Sequence, residues 1–353
     1  MSLRRWMIDC ANLLQQQRRH RLSAASQRRF LRIGNYGSQI RSVRSRTEPL
    51  EDRILPANLV WVGDLSSHWT TQVAGDTNWS DDLLPQDGDA LLFDGAAAGS
   101  LINDSLPGNS YSMTFNTGDY TVTGQGIALD NPGTDIIQIA GENLLQTPLE
   151  LNASSVEVQS GVLELQGDVT GTAGLTKLGS GTLILTGPAA YSGSTLIQSG
   201  GLQVDGSFMG ADPISINSTA TLGGDGSIDA SVSLAGLLSP GSIVTPATAI
   251  GSLSLAALDM TASATLRFQI GGAADGEFDS LTVTGNAVLN GTLTVELTNN
   301  YTPAPGTTFR VLTAGSVSGQ FTNWSGLTYT NGVLLPIQTP QGLILVATPF
   351  PTG

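Results

Sequence analysis

The sequence predicts an all-β fold built as a parallel β-helix, a solenoid, with a Trp-rich cap before it and a β-rich module after it. Composition is the first observation. Of 353 residues 43 are Gly and only 12% are charged. Thr, Ser, Leu and Val fill much of the rest, a mixture that favours strands and tight turns over helices. Local periodicity is the second: apolar residues alternate through 117–124, 155–167 and 175–187. The third is a longer repeat. The pattern Leu-x-x-x-Gly falls at 163–167, 183–187, 202–206 and 222–226, at intervals of 20, 19 and 20 residues. Gln-Ser-Gly at 159–161 returns at 198–200, 39 residues later.

A period near 20 fits one coil of two or three short strands joined by tight turns. A single coil cannot bury its inward Leu, Val and Ile, so coils must stack. Inward alternate residues then form apolar ladders, and outward Thr, Ser, Gln and Asn stay solvated. Gly at the corners permits positive φ and close approach between coils.

Taken in order, the chain opens with a basic leader, residues 1–57, expected to be disordered or cleaved. Its first 53 residues hold twelve of the fifteen Lys and Arg and four acids, a net charge of +8. The run 15–32 has the pattern of a basic amphipathic helix. Residues 47–57, TEPLEDRILPA, resemble the PLEDR-x-L-x-A leader of planctomycete-type exported proteins, which implies export. Residues 58–100 form the cap segment, with Trp61, Trp69, Trp79 and Phe93 and turn signals at 63–64, 75–76 and 87–88. Residues 101–249 are expected to be the β-helix itself. Residues 250–349 read as a terminal module with strands at 281–284, 291–297, 308–312, 329–334 and 343–347. Residues 250–349 could continue the solenoid or fold as a separate sandwich; the leucine spacing fades after Gly226, which favours a domain of its own.

Residues 174–206, GLTKLGSGTLILTGPAAYSGSTLIQSGGLQVDG, resemble an autotransporter-associated β-strand repeat. Gly174, Leu175, Lys177, Gly179, Gly181, Leu183, Leu185, Gly187, Tyr191, Gly193, Thr195, Ile197, Gly200, Leu202 and Val204 occupy its marked positions. The resemblance implies a right-handed parallel β-helix of the passenger type, with Lys177 structural. No run of amphipathic ten-residue strands ending in an aromatic follows, so a translocator barrel is not expected in this chain.

The chemistry of known enzymes is missing from the pattern. His68 is the one histidine beyond the leader and sits beside Trp69, so a Ser-His-Asp set or a histidine zinc site has too few members. Cys10, the one cysteine, lies in the leader. Neither a phosphate-binding G-x-x-x-x-G-K-[ST] nor a G-x-S-x-G occurs. Glu150, Glu157, Glu164, Asp168 and Asp205 are scattered rather than paired. Residues 223–229, GGDGSID, resemble a single calcium nonapeptide without its tandem partners, and Asp81, Asp82, Asp87 and Asp89 lack EF-hand spacing. Beyond residue 53 the net charge is −22, with Lys177, Arg267 and Arg310 the only strong bases, which opposes nucleic-acid binding. Trp61, Trp69, Trp79 and Trp324 are expected to pack in the core or cap rather than stack on sugars.

No catalytic, cofactor or metal residue is therefore predicted. The expected function is that of a non-enzymatic, secreted or cell-surface structural or adhesin-like protein, its partners extracellular matrix or glycans. The alternative is a carbohydrate-binding or polysaccharide-degrading β-helix protein. A third is a shed fragment of a larger surface assembly.

Overall fold

The computed structural model describes residues 56–350 except 96–97, 131–132, 153, 211 and 245–249. The expected leader, apart from Pro56 and Ala57, lies outside the described residues. Within them almost every element is a strand; a short 3-10 turn at Ser80–Asp82 is the exception. The strands make a 20-stranded sheet, an 11-stranded sheet and a two-stranded hairpin.

Both large sheets are ladders of one winding chain. One coil runs through Ser154–Val158, Val162–Leu165 and Val169–Gly171, and the next through Leu175–Leu178, Thr182–Leu185 and Ala189–Tyr191. Each strand pairs in parallel with its equivalent one coil on: Val156 beside Lys177, Leu163 beside Leu183, Val169 beside Ala189. This is the predicted parallel β-helix, with three faces. The first and third faces belong to the 20-stranded sheet and the second is the 11-stranded sheet.

The leucine period is the interior of the second face. Leu163, Leu183, Leu202, Leu222, Leu238, Leu266 and Leu293 stand in register in consecutive coils. All seven are fully buried, and each contributes roughly 1.5–3 kcal/mol. At the corner after Val158, Gly161 has φ +74°, and a methyl there would overlap the Gly141 carbonyl of the coil before it. Only Gly fits such a corner without strain.

The Trp-rich segment does more than precede the ladders. Asn58–Val60 pairs with Ala90–Phe93, and Ala90–Phe93 with Ser112–Phe115, all in parallel. Trp61, Trp69 and Trp79 are buried as expected. Trp79 meets Trp61 and Trp69 edge-on at 5.1 and 5.7 Å, and Phe93 stacks on Phe115 at 4.7 Å. Large rings fill the first coils where leucines fill the later ones.

The boundary expected near residue 250 falls inside continuous ladders. Ser252–Met260 pairs in parallel with Ser227–Leu234 behind it and with Ser280–Leu289 ahead, and Thr308–Gly319 follows in the same way. The second face likewise runs on through Thr265–Ile270 and Thr292–Leu297 to Asn323–Ser325. What changes is the coil. From Ser227 onward the third and first faces merge into one long strand, pairing with both Phe208 and Ile214–Ile216. A register shift marks the lost corner in each later coil, at Ile228/Ser231, Leu255/Leu258 and Val283/Asn286. Bulges of this kind bend a strand without ending its pairing. Connections of unequal length then separate the rungs, so leucine spacing fades while the stack persists.

The stack ends in antiparallel pairing. Gly342–Pro349 pairs antiparallel with Thr308–Gly319, and Gly332–Thr339 with Gly342–Pro349. These strands cover the last edge of the longer sheet, which would otherwise offer unpaired backbone groups. Trp324 departs from its expected burial and is 40% exposed. It stands in register beyond Leu293 at the end of the leucine column. Phe321 meets its ring edge-on at 5.3 Å, and among the described residues no strand pairs beyond it in that sheet.

Candidate functional surface

The repeat at 174–206 runs through five strands, one full coil and the first two faces of the next, and its marked residues serve the stack. Lys177 stands between Val156 and Ile197 on an interior rung and is fully buried. Its Nζ donates to the carbonyls of Leu178 at 2.7 Å, Gly179 at 3.0 Å and Ser199 at 3.3 Å. Burial pulls its pKa down to about 8, with Glu157 opposing that shift. Two coils earlier Gln138 holds the corresponding corner, its Nε2 donating to Gly141 O and Val162 O. Tyr191 is buried and shares a 2.7 Å hydrogen bond with Thr195; burial raises its pKa. Lys177 and Gln138 tie backbone to backbone, and Tyr191 ties one side chain to another within the stack.

Carboxylates follow the same rule. Asp135 accepts from Ser155 N, Asp205 from Asp225 N, and Asp225 from Ser252 N in the next coil. Asp279 is fully buried and accepts from Gly251 N at 2.9 Å and Gln269 N at 2.8 Å. Burial raises its pKa to about 7 against those two hydrogen bonds and the nearby Arg267. Hydroxyls cap corner carbonyls too: Ser180 bonds Gln159 O, Ser199 bonds Gly179 O and Ser263 bonds Ala235 O. Glu157 and Glu164 lie on different faces, separated by the Gly161 corner.

His68 is half exposed and its Nδ1 lies 3.2 Å from Asp104. Partial burial pushes Asp104 up, yet hydrogen bonds from Thr70 and His68 hold it below the usual carboxylate value. The Ser66 Oγ in this cluster accepts from the His68 backbone N–H, and the Thr70 side chain bonds Asp104. The geometry is that of a turn, without the nucleophile-to-imidazole bond that a triad requires. Among the described residues no three His, Cys, Asp or Glu side chains converge to hold a metal ion.

Two features were illegible in the sequence. One is a recess of about 550 Å³ lined by Asp225, Ser252, Asp275, Phe278, Ser280 and Arg310 among others. Its members come from four successive coils, so no sequence spacing joins them. The other is the buried Asp279, whose partners are 10 and 28 residues away.

With this geometry in place, similarity to known proteins can be assigned to parts of the fold. The passenger-associated-transport-repeat family matches residues 175–204, the stretch that holds Lys177 and Tyr191. An extracellular serine protease of Serratia marcescens is 38% identical over 84 residues, 24% of this chain and 8% of the protease. The chain thus spans a small fraction of that relative's length. It is a parallel β-helix bearing an autotransporter-type passenger repeat, and both similarities point to export. The match to the repeat carries no indication of catalysis. No helix among the described residues is long and apolar enough to cross a membrane.

Proposed function

We propose that the protein is a non-enzymatic, exported scaffold of the structural or adhesin-like kind, released or held at the cell surface, with residues 1–57 as its export leader. The observation that carries this reading is the use of its polar groups. Lys177, Asp135, Asp205 and Asp279 each make a coil-to-coil bond to backbone. Outward positions are small and polar, as in the Gln146–Gln166 ladder at 2.9 Å. A stack whose corners are bonded from coil to coil resists proteases, because cleavage needs local opening. Its long outer faces present repeated hydroxyl and amide groups to matrix or glycan.

Fractionation of the producing cells, with proteinase digestion of the intact surface, tests the proposal. The chain should be recovered outside the cytoplasm with residues 58–350 protected, and should bind immobilised matrix or glycan without cleaving it. Recovery in the cytoplasm would end the export reading. Peptide or polysaccharide turnover that disappears in Asp104→Asn or Asp225→Asn would end the non-enzymatic one.

A further inference from the structure

We propose that the recess at the corner of the last coils binds an acidic oligosaccharide, with an anionic sugar end seated at Arg310 and sugar hydroxyls taken by the column Asp225, Ser252 and Ser280. The first support is the fate of the body's cations. Beyond residue 53 there are three strong bases in a net charge of −22. Lys177 is consumed in the core by three carbonyls. Arg267 donates to Ser239 Oγ at 3.1 Å and lies 3.8 Å from Glu296. Arg310 is exposed and, among the described residues, forms no ion pair. It lines the recess. An anion approaching so negative a body is repelled elsewhere and accepted here.

The second support is the shape of the column. Ser252 N donates to Asp225, Ser252 pairs with Ser280, and Ser280 Oγ bonds Ser252 Oγ at 3.0 Å. Arg310 is on the strand of the following coil. Rungs lie ~4.8 Å apart, so the carboxylate end and the guanidinium end stand roughly 14 Å apart. That span suits an extended ligand of two or three rings rather than a lone ion. Phe278 forms one wall, braced edge-on against Phe309 at 5.5 Å, and offers an apolar face to sugar C–H groups. A guanidinium takes a carboxylate in a bidentate fork. Carboxylates at Asp225 and Asp275 accept hydroxyls but repel a second anion, so the ligand carries its charge at the Arg310 end. An added peptide strand is disfavoured, because the strands under the recess already pair on both sides. The buried Asp279 anchors Gly251 in the recess wall and has both oxygens engaged by backbone amides.

Calorimetric titration of the full chain at low ionic strength tests the site. Cellobiouronic acid and a galacturonate-ended disaccharide are compared with cellobiose. The acidic probes should bind about tenfold more tightly than the neutral one. Arg310→Gln should erase that margin with the circular dichroism spectrum unchanged, and Arg310→Lys should keep part of it. Salt at 0.5 M should also shrink the margin. Equal affinity for acidic and neutral probes, absence of binding by all three, or a margin that survives Arg310→Gln would each overturn the proposal.

Discussion

Replacing Lys177 by Met keeps the buried stem and removes the ammonium, so it isolates the corner bond. The Leu178 and Ser199 carbonyls lose their charged donor, while Gly179 O keeps the Ser199 hydroxyl at 3.2 Å. Each buried carbonyl left without its partner costs about 1–3 kcal/mol. Removing a desolvated cation offsets part of that loss. The expected net destabilisation at pH 7 is about 2–4 kcal/mol. The pH dependence carries the sharper test. Burial lowers the Lys177 pKa from 10.5 to about 8, so the native state binds this proton more weakly than the unfolded chain. Between those values the unfolded state holds more protons, and wild-type stability rises with pH across the window. The Met variant lacks this contribution, so the gap between the two proteins should widen from pH 8 towards pH 10.5. Urea melts of both proteins at pH 7, 8.5 and 10, followed by far-ultraviolet circular dichroism, measure it. A Met variant as stable as wild type at pH 7 would refute the account of Lys177 as a corner staple, and a gap that stays constant or narrows with pH would refute the lowering of its pKa by burial.

Further outcomes follow from the same stack. Leu183→Ala, in the middle of the leucine column, should cost about 2–5 kcal/mol by urea denaturation, whereas Thr176→Ala on the half-buried side of a neighbouring strand should change little. Gly161→Ala forces a side chain into positive φ against the Gly141 carbonyl and should lower stability by 2 kcal/mol or more, roughly, seen as early amide exchange in residues 154–165. Asp279 has its pKa raised from 3.8 to about 7, so its share of stability is full below pH 3.8 and is lost as pH rises through 7. Asp279→Asn should therefore flatten the stability profile between pH 4 and 7, and lose about 1–3 kcal/mol because one backbone amide loses its acceptor.

The sequence by itself determined the fold class, the twenty-residue coil and the inward leucine column. These properties were legible because equal coils repeat at a fixed spacing, and because side-chain alternation along a strand is local. The tertiary structure alone decided that the stack runs past residue 250, that Trp324 stands at its open end, and that Asp225 and Arg310 share one recess. The physical reason lies in how a parallel β-helix is bonded. Its register is set between coils, where a connection of any length can be inserted at small entropic cost. Residues that touch across rungs are therefore separated by a whole coil, and once coil lengths differ no spacing in the chain reveals who their neighbours are.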